Sequence, residues 1–317
     1  MGRVLVTGAS GFIGSHIAHY LQAQGWAVRG MVRARTHGNT VQFPLVYGDL
    51  LDSDSLDRVA RGVDTVIHCA GLAHRPSATL DEHIRINVHG TRSLLCQAIR
   101  HGVKQFIFMS SISVYGKHDE PYREEHVLRP VTPYGHAKAR AEDVLQEMAA
   151  SQRLPLVILR LSTVYGMGGP GNVNRLIRAV RTFGPIVIGD GKNEKSLTYV
   201  QNVAQLIDHA MTNHPGTSAI CNVSDPRPYT LYEITETIAK TLQCQRRIVR
   251  IPKSAAVCGS QLISLAFRLV RKQSPISPQA IGILTESSVC DASRLKRELG
   301  FEARILLEEG LKCTIAR

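Results

Sequence analysis

Near the start of the chain an apolar run, Val4 to Val6, leads into Thr7-Gly8-Ala9-Ser10-Gly11-Phe12-Ile13-Gly14. No other stretch constrains the fold as tightly. The run has the unbroken apolar character of a strand buried on both faces of a parallel sheet. Phe12 to Leu21 carries the apolar period of a helix. A strand, a glycine turn and a helix make a cradle for a pyrophosphate. Glycine lets the backbone turn sharply and approach the ligand, and the helix N-terminus offers free N–H groups to the anion. The spacing is Gly-x-x-Gly-x-x-Gly, not the Gly-x-Gly-x-x-Gly of the older dehydrogenase fingerprint. Its position between a first strand and a first helix favours a dinucleotide over a glycine-rich turn that binds nothing.

The rest of the first half repeats the strand–helix alternation. Strands are expected at Trp26 to Val32, Leu45 to Tyr47, Asp64 to His68, Gln105 to Met109 and Pro155 to Leu161. A long helix is expected over Thr79 to Arg100, carrying Asn87, and another from Pro133 to about residue 150. This order predicts an α/β chain with a doubly wound parallel sheet of the Rossmann type. From Gly166 the pattern changes to a glycine-rich loop and shorter mixed elements. The expected division is a dinucleotide-binding domain over 1–165, with 196–225 returning to it. A smaller mixed α/β substrate lobe takes 166–195 and 226–317.

The 317 residues carry a formal charge of +12, which suits anionic ligands such as nucleotides. The basic residues are spread along the chain and no nucleic-acid motif is visible, so no nucleic-acid partner is expected. The seven cysteines are dispersed without a Cys-x-x-Cys pair. That argues for no metal and for a reducing cytoplasm. No run is apolar enough to span a membrane, and Met1-Gly2-Arg3 leaves no room for a signal peptide. Ser254 to Val270, followed by Arg271 and Lys272, would suit an anionic surface, but a buried helix of the later lobe is the preferred reading.

The chemistry-bearing residues lie where strands end. The second strand ends in Val32 and Arg33, with Arg35 beyond. An acidic residue there would hold the ribose hydroxyls of NAD, whereas an arginine accommodates the 2′-phosphate of NADP. Solvated loop arginines are the equal alternative. Asp49 is either an acceptor for the adenine amino group or a turn residue. Small residues at Ala70 and Gly71 allow a close backbone approach. Hydroxyls follow the fifth strand at Ser110, Ser111 and Ser113. Tyr134 and Lys138 are four apart and share one helix face. The ammonium and a positively charged nicotinamide would both lower the phenol pKa from about 10, making Tyr134 a proton-transfer group. A surface pair on an amphipathic helix is the plainer reading of that spacing alone.

Taken in order, these motifs identify the chain as similar to extended short-chain dehydrogenases/reductases of the NAD-dependent epimerase/dehydratase group. The resemblance runs from Thr7-Gly8-x-x-Gly11-x-x-Gly14 through Asp49-Leu50, His68-Cys69-Ala70-Gly71, Asn87, Ser111 and Tyr134-x-x-x-Lys138. It continues through Arg160 to Gly166, Gly189-Asp190-Gly191-Lys192, Tyr199 to Val203 and Leu295 to Phe301. The resemblance implies catalytic Ser111, Tyr134 and Lys138. It implies NAD(P) held by Gly8, Gly11, Phe12, Ile13, Gly14, Arg33, Asp49, Leu50, Ala70, Gly71 and Asn87, with Tyr134 and Lys138. It implies a nucleotide-sugar substrate met by Ser111, Ser113, Thr163, Asn172 and Lys195, and a homodimer.

Four departures from the family pattern matter, one being Thr163, which stands where sugar epimerases often have asparagine. Val32 stands where NAD-specific relatives place aspartate. No arginine or lysine lies between Ser274 and Cys290, where many relatives grip the diphosphate. Ser111-Ile112-Ser113 supplies no carboxylate, unlike the Thr-Asp-Glu triplet of sugar 4,6-dehydratases. The leading expectation is therefore a nucleotide-sugar epimerase working through a 4-keto intermediate. The alternatives are an NADPH-dependent reductase of a 4-keto sugar or other ketone, and a non-catalytic dinucleotide sensor.

Overall fold

The computed structural model describes residues 2–33, 43–73, 75, 77–269 and 278–316, with side chains described outside 262–269 and 278–280. Six strands build most of the central sheet. They are β1 (Arg3–Thr7), β2 (Ala27–Val32), β3 (Leu45–Tyr47), β4 (Thr65–His68), β5 (Gln105–Ser111) and β6 (Leu156–Leu161). With Ala219–Val223 they form a seven-stranded sheet in the order Ala219–Val223, β6, β5, β4, β1, β2, β3. Every pairing is parallel. The strand order reverses between β1 and β4. Open α/β sheets bind ligands at such a switch point, beyond the carboxyl ends of the strands.

The apolar run that opens the chain is buried on both faces, as its composition requires. Val4 and Val6 pack with Ile17 and Leu21 of α1 (Phe12–Ala23), whereas Leu5 packs with Leu56 and Leu94 on the other side. Period-2 alternation therefore sends neighbouring side chains into two separate cores.

The helix expected over Thr79 to Arg100 forms with an irregular middle. Leu80–His83 (α3) and Gly90–Arg100 (α4) are α-helical, but Ile84–His89 winds with the wider π period. A capping box starts it: the Thr79 side chain accepts from Glu82 N–H while Glu82 accepts from Thr79 N–H. The π turn holds Asn87, whose amide both accepts from Leu72 N–H (2.6 Å) and donates to Leu72 O (2.9 Å). Extra winding at one turn is a known device for aiming a side chain.

The chain divides into two compact units. The first comprises Met1–Val164, Thr198–Pro226 and Cys290–Arg304, and holds the sheet. The second comprises Tyr165–Leu197, Arg227–Val289 and Ile305–Arg317. Within it, Val249–Ile251 pairs in parallel with Ile186–Ile188, and Tyr229–Thr230 pairs antiparallel with Glu194–Lys195. Short elements such as Val249–Ile251 and the helix Pro278–Thr285 had no counterpart in the sequence reading. Among the described residues no helix is long and apolar enough to cross a membrane.

Candidate active site

The glycine loop is shaped by the chain's own contacts. Gly8 has φ +67°, and a Cβ there would meet the Ala70 backbone at 2.9 Å. A Cβ on Gly14 would lie 2.3 Å from Gly8 O. Gly11 N–H donates to Gly8 O (2.8 Å), closing the turn. Gly11 caps α1 without any side-chain hydrogen bond, so the first N–H groups, including those of Phe12 and Ile13, have no side-chain cap. An uncapped helix start behind a glycine turn fits a dinucleotide pyrophosphate.

A buried hydrogen-bond chain fixes this loop to the end of β4. The Thr91 hydroxyl donates to Asn87 O (2.7 Å), so its oxygen accepts from His68 Nε2–H (2.8 Å). His68 Nδ1 then accepts from the Thr7 hydroxyl (2.8 Å), whose oxygen accepts the Ala70 N–H (3.1 Å). Burial, with Lys138 nearby, pushes the His68 pKa down to about 3 and keeps the ring neutral. Ala70 and Gly71 are thus held from both sides, by Thr7 and by the Asn87 clamp on Leu72. Both ends of the Asn87 amide are occupied by Leu72, so its reach toward a cofactor runs through the loop it holds.

The other predicted cofactor residues take varied positions. Arg33 is exposed just beyond buried Val32, and Arg35 lies outside the described residues. Asp49 accepts from Leu51 N–H (2.9 Å), which is the turn role weighed for it. Leu50 is buried in the core with Leu56 and Val88 and offers no free side chain.

The end of β5 meets α5 (Pro133–Gln152). Thr132 caps α5 by accepting from Gly135 N–H (3.0 Å), with Pro133 in the first turn. Lys138, buried, donates from Nζ to Met109 O on β5 (2.6 Å), two residues before Ser111. Its Nζ lies 4.3 Å from the Phe108 ring centroid and 5.9 Å from that of Tyr134. A Cβ on Gly135 would fall 2.5 Å from Ser113 O, so helix and turn are in close contact. Ser111 Oγ accepts from Ser113 N–H (3.2 Å), and Ser113 Oγ is buried without a hydrogen-bond partner among the described residues. The partly buried Tyr134 phenol has no hydrogen-bond partner among the described residues, and its ring stands edge-on to His83 at 6.1 Å.

The electrostatics correct one expectation. Burial pushes the Tyr134 pKa up to about 12, the opposite of the lowering expected from a neighbouring ammonium. Burial also pulls Lys138 down to about 8, with Glu142 pulling the other way. Desolvation by itself therefore favours the protonated phenol, so a phenolate at this position depends on nearby positive charge.

Sequence reasoning missed the polar cluster behind this site. Glu142, fully buried one turn beyond Lys138, takes a hydrogen bond from Ser110 and a fork from Arg160, with Nη2 at 2.7 Å. Arg160 Nη1 also donates to Tyr115 Oη (2.8 Å), and Tyr115 donates to Asn222 Oδ1 (2.7 Å). Asn222 N–H donates to Glu124 (2.7 Å), anchoring the polar loop before α5. Two signals were present: an arginine inside the apolar run Leu156–Leu161, and a carboxylate on the same helix face as Tyr134 and Lys138.

The remaining predicted residues fall elsewhere. Thr163 opens a short strand after β6. Asn172 and Lys195 belong to the second unit: Asn172 is exposed at the start of the helix Asn172–Phe183, and Lys195 Nζ donates to Ile283 O (2.8 Å).

Comparison with known proteins fixes the family. Residues 4–224 match the model of the NAD dependent epimerase/dehydratase family. The chain belongs to that family. Among relatives over the full length, it is 26% identical to the Escherichia coli O157:H7 N-acetyl-α-D-glucosaminyl-diphospho-ditrans,octacis-undecaprenol 4-epimerase, covering 99% of this chain and 94% of the relative. It is 28% identical to the Vibrio cholerae UDP-glucose 4-epimerase, covering 98% and 94%. Among solved structures, MoeE5 in complex with UDP-glucuronic acid and NAD superposes with TM-score 0.78 at 30% identity, covering 99% and 98%. The Rossmann-type parallel sheet is common to this epimerase/dehydratase chain and its solved relatives, and the family makes it an NAD(P)-dependent enzyme.

Proposed function

We propose that the chain is a nucleotide-sugar 4-epimerase that uses a bound nicotinamide dinucleotide without net oxidation. The observation that carries this reading is the joining of α5 to β5. The Lys138–Met109 bond and the Gly135–Ser113 contact hold the start of α5, with Tyr134 and Lys138, against the carboxyl end of β5, with Ser111, on the same edge of the parallel sheet as the glycine loop that follows β1. Relatives named as UDP-sugar 4-epimerases support the reaction class.

The glycine loop and the α1 N-terminus would hold the pyrophosphate, and the nicotinamide supplies reversible acceptance of hydride from the sugar C4. The chain's own residues manage the proton. As the phenolate, which the Lys138 ammonium and an oxidised nicotinamide would favour, Tyr134 takes the 4-hydroxyl proton as C4 is oxidised and returns it after the keto sugar has turned. Ser111 donates a hydrogen bond to the same oxygen. The Lys138 ammonium stabilises the phenolate charge against the burial that pushes the phenol pKa up to about 12. The second unit, with Asn172 and Lys195, supplies the substrate lobe, and two copies form a homodimer in the cytoplasm. Family resemblance and seven dispersed cysteines without a Cys-x-x-Cys pair support that assignment.

Denaturing the purified protein and identifying the released dinucleotide tests the cycle. Near-stoichiometric NAD, together with interconversion of UDP-glucose and UDP-galactose or their N-acetyl counterparts, is the expected result. A protein that retains no cofactor and binds NADPH more tightly than NADH would make it a reductase instead, with Arg33 as the first residue to mutate.

A further inference from the structure

The basic residues are spread along the chain, but the carboxylates that balance them are missing from one region. Between Glu236 and Glu286 the sequence has eight lysines and arginines and no aspartate or glutamate. Part of that stretch meets a second carboxylate-free segment, Asn172 to Gly189, on the second unit. Val249 N–H donates to Pro185 O (3.0 Å), and Val249 pairs with Ile186. Arg246 lies against Gly184, with its Cδ 3.0 Å from where a Cβ would be. The helix Asn172–Phe183 buries Val173, Ile177 and Val180 and presents Arg178 and Arg181 outward. Around this edge Phe183 is 69% exposed and Val249 is 55% exposed. Arg246, Arg247, Arg250 and Lys253 are also exposed.

None of these basic side chains is paired with a carboxylate among the described residues. The acids of the neighbouring helix Leu231–Thr241 are already engaged: Glu233 with Arg227, and Glu236 with Lys240. Unpaired cations around protruding apolar side chains match a surface that presents phosphates above hydrocarbon. A small nucleotide would use neither the spread of charge nor the exposed phenyl ring.

We propose that this edge of the second unit is a docking surface for an anionic membrane. Phe183 and Val249 enter the headgroup region, and Arg178, Arg181, Arg246 and Arg250 meet lipid phosphates. Binding is peripheral and reversible, because no spanning helix is needed and the attraction is screened by salt. The inference does not depend on which reaction the first unit catalyses.

The test is co-sedimentation of the full chain with phosphatidylcholine vesicles, with and without phosphatidylglycerol. Binding is expected only to the anionic vesicles, and it weakens as salt rises. The combined variant Arg178→Gln, Arg181→Gln, Arg246→Gln lowers partition roughly a hundredfold, about fivefold for each charge. Phe183→Ser lowers it several-fold while leaving the melting temperature unchanged. No binding to anionic vesicles at low salt overturns the proposal, as does equal binding by the triple variant. It is also overturned if a short DNA duplex competes as well as the lipid. A Phe183→Ser variant that breaks a dimer yet keeps vesicle binding would assign the ring to contact between copies instead.

Discussion

The two halves of α5 treat buried polar groups in opposite ways. In the first turns, the Tyr134 phenol has no hydrogen-bond partner among the described residues and Lys138 makes one bond, to Met109 O. One turn on, Glu142 is saturated by Ser110 and Arg160, and Arg160 by Tyr115 and the Glu124 carbonyl. A fully partnered buried network resists change and sets geometry. An under-partnered pair is what proton transfer to an outside group requires. Lying on one helix, the two differ in role because they differ in satisfaction.

This contrast predicts a graded series. Tyr134→Phe removes the proton carrier and nothing structural. Turnover should fall by roughly 10²–10⁴ with the melting temperature unchanged; epimerisation at near wild-type rate would end the acid/base assignment. Glu142→Ala should act in the reverse way. It leaves the Arg160 charge buried and unpaired, costing about 3–5 kcal/mol in denaturant unfolding. A loss below ~1 kcal/mol would show that the network is not a support for β5.

Asn87→Ala frees Leu72 at both its N–H and its carbonyl. Stability should drop by about 1–3 kcal/mol, with weaker dinucleotide binding by calorimetry. Unchanged cofactor affinity would remove Asn87 from the site. The smallest effect is a pH dependence. Burial holds Lys138 at about 8 in the folded chain, against 10.5 unfolded. Between those values the unfolded chain binds more protons, so stability rises with pH. The penalty present below pH 8 is relieved above it. Relative to Lys138→Met, the wild type should gain roughly 1 kcal/mol between pH 8 and 9. Tyr134 titrates in the opposite sense from 10 to about 12, so the comparison stays below pH 10. A flat difference would mean that Lys138 is better solvated than its burial implies.

Local signals carried most of the fold. Val4 to Val6, the glycine turn and Phe12 to Leu21 each announced their state because propensity and burial agree there. The π turn at Ile84–His89 was not legible, since one residue of extra winding leaves the apolar period almost intact. Tyr134, Lys138 and Ser111 were readable as a set. Their support was not: Glu142, Asn222 and Glu124 are distant in sequence and meet only after the sheet has formed. The upward shift of the Tyr134 pKa was also hidden, because helical spacing reports proximity to Lys138 and says nothing about desolvation.

The π turn makes α3 and α4 sensitive to length as well as composition. A helix that carries one surplus residue is healed by a one-residue deletion. Deleting Ile86 would give an unbroken α-helix of ordinary hydrogen bonding while swinging everything on one side of the cut by about 100°. Asn87 would then face away from Leu72, and the loop after β4 would lose its tether although no polar group had been mutated. For anyone shortening or transplanting this segment, a cleaner helix would be the wrong goal.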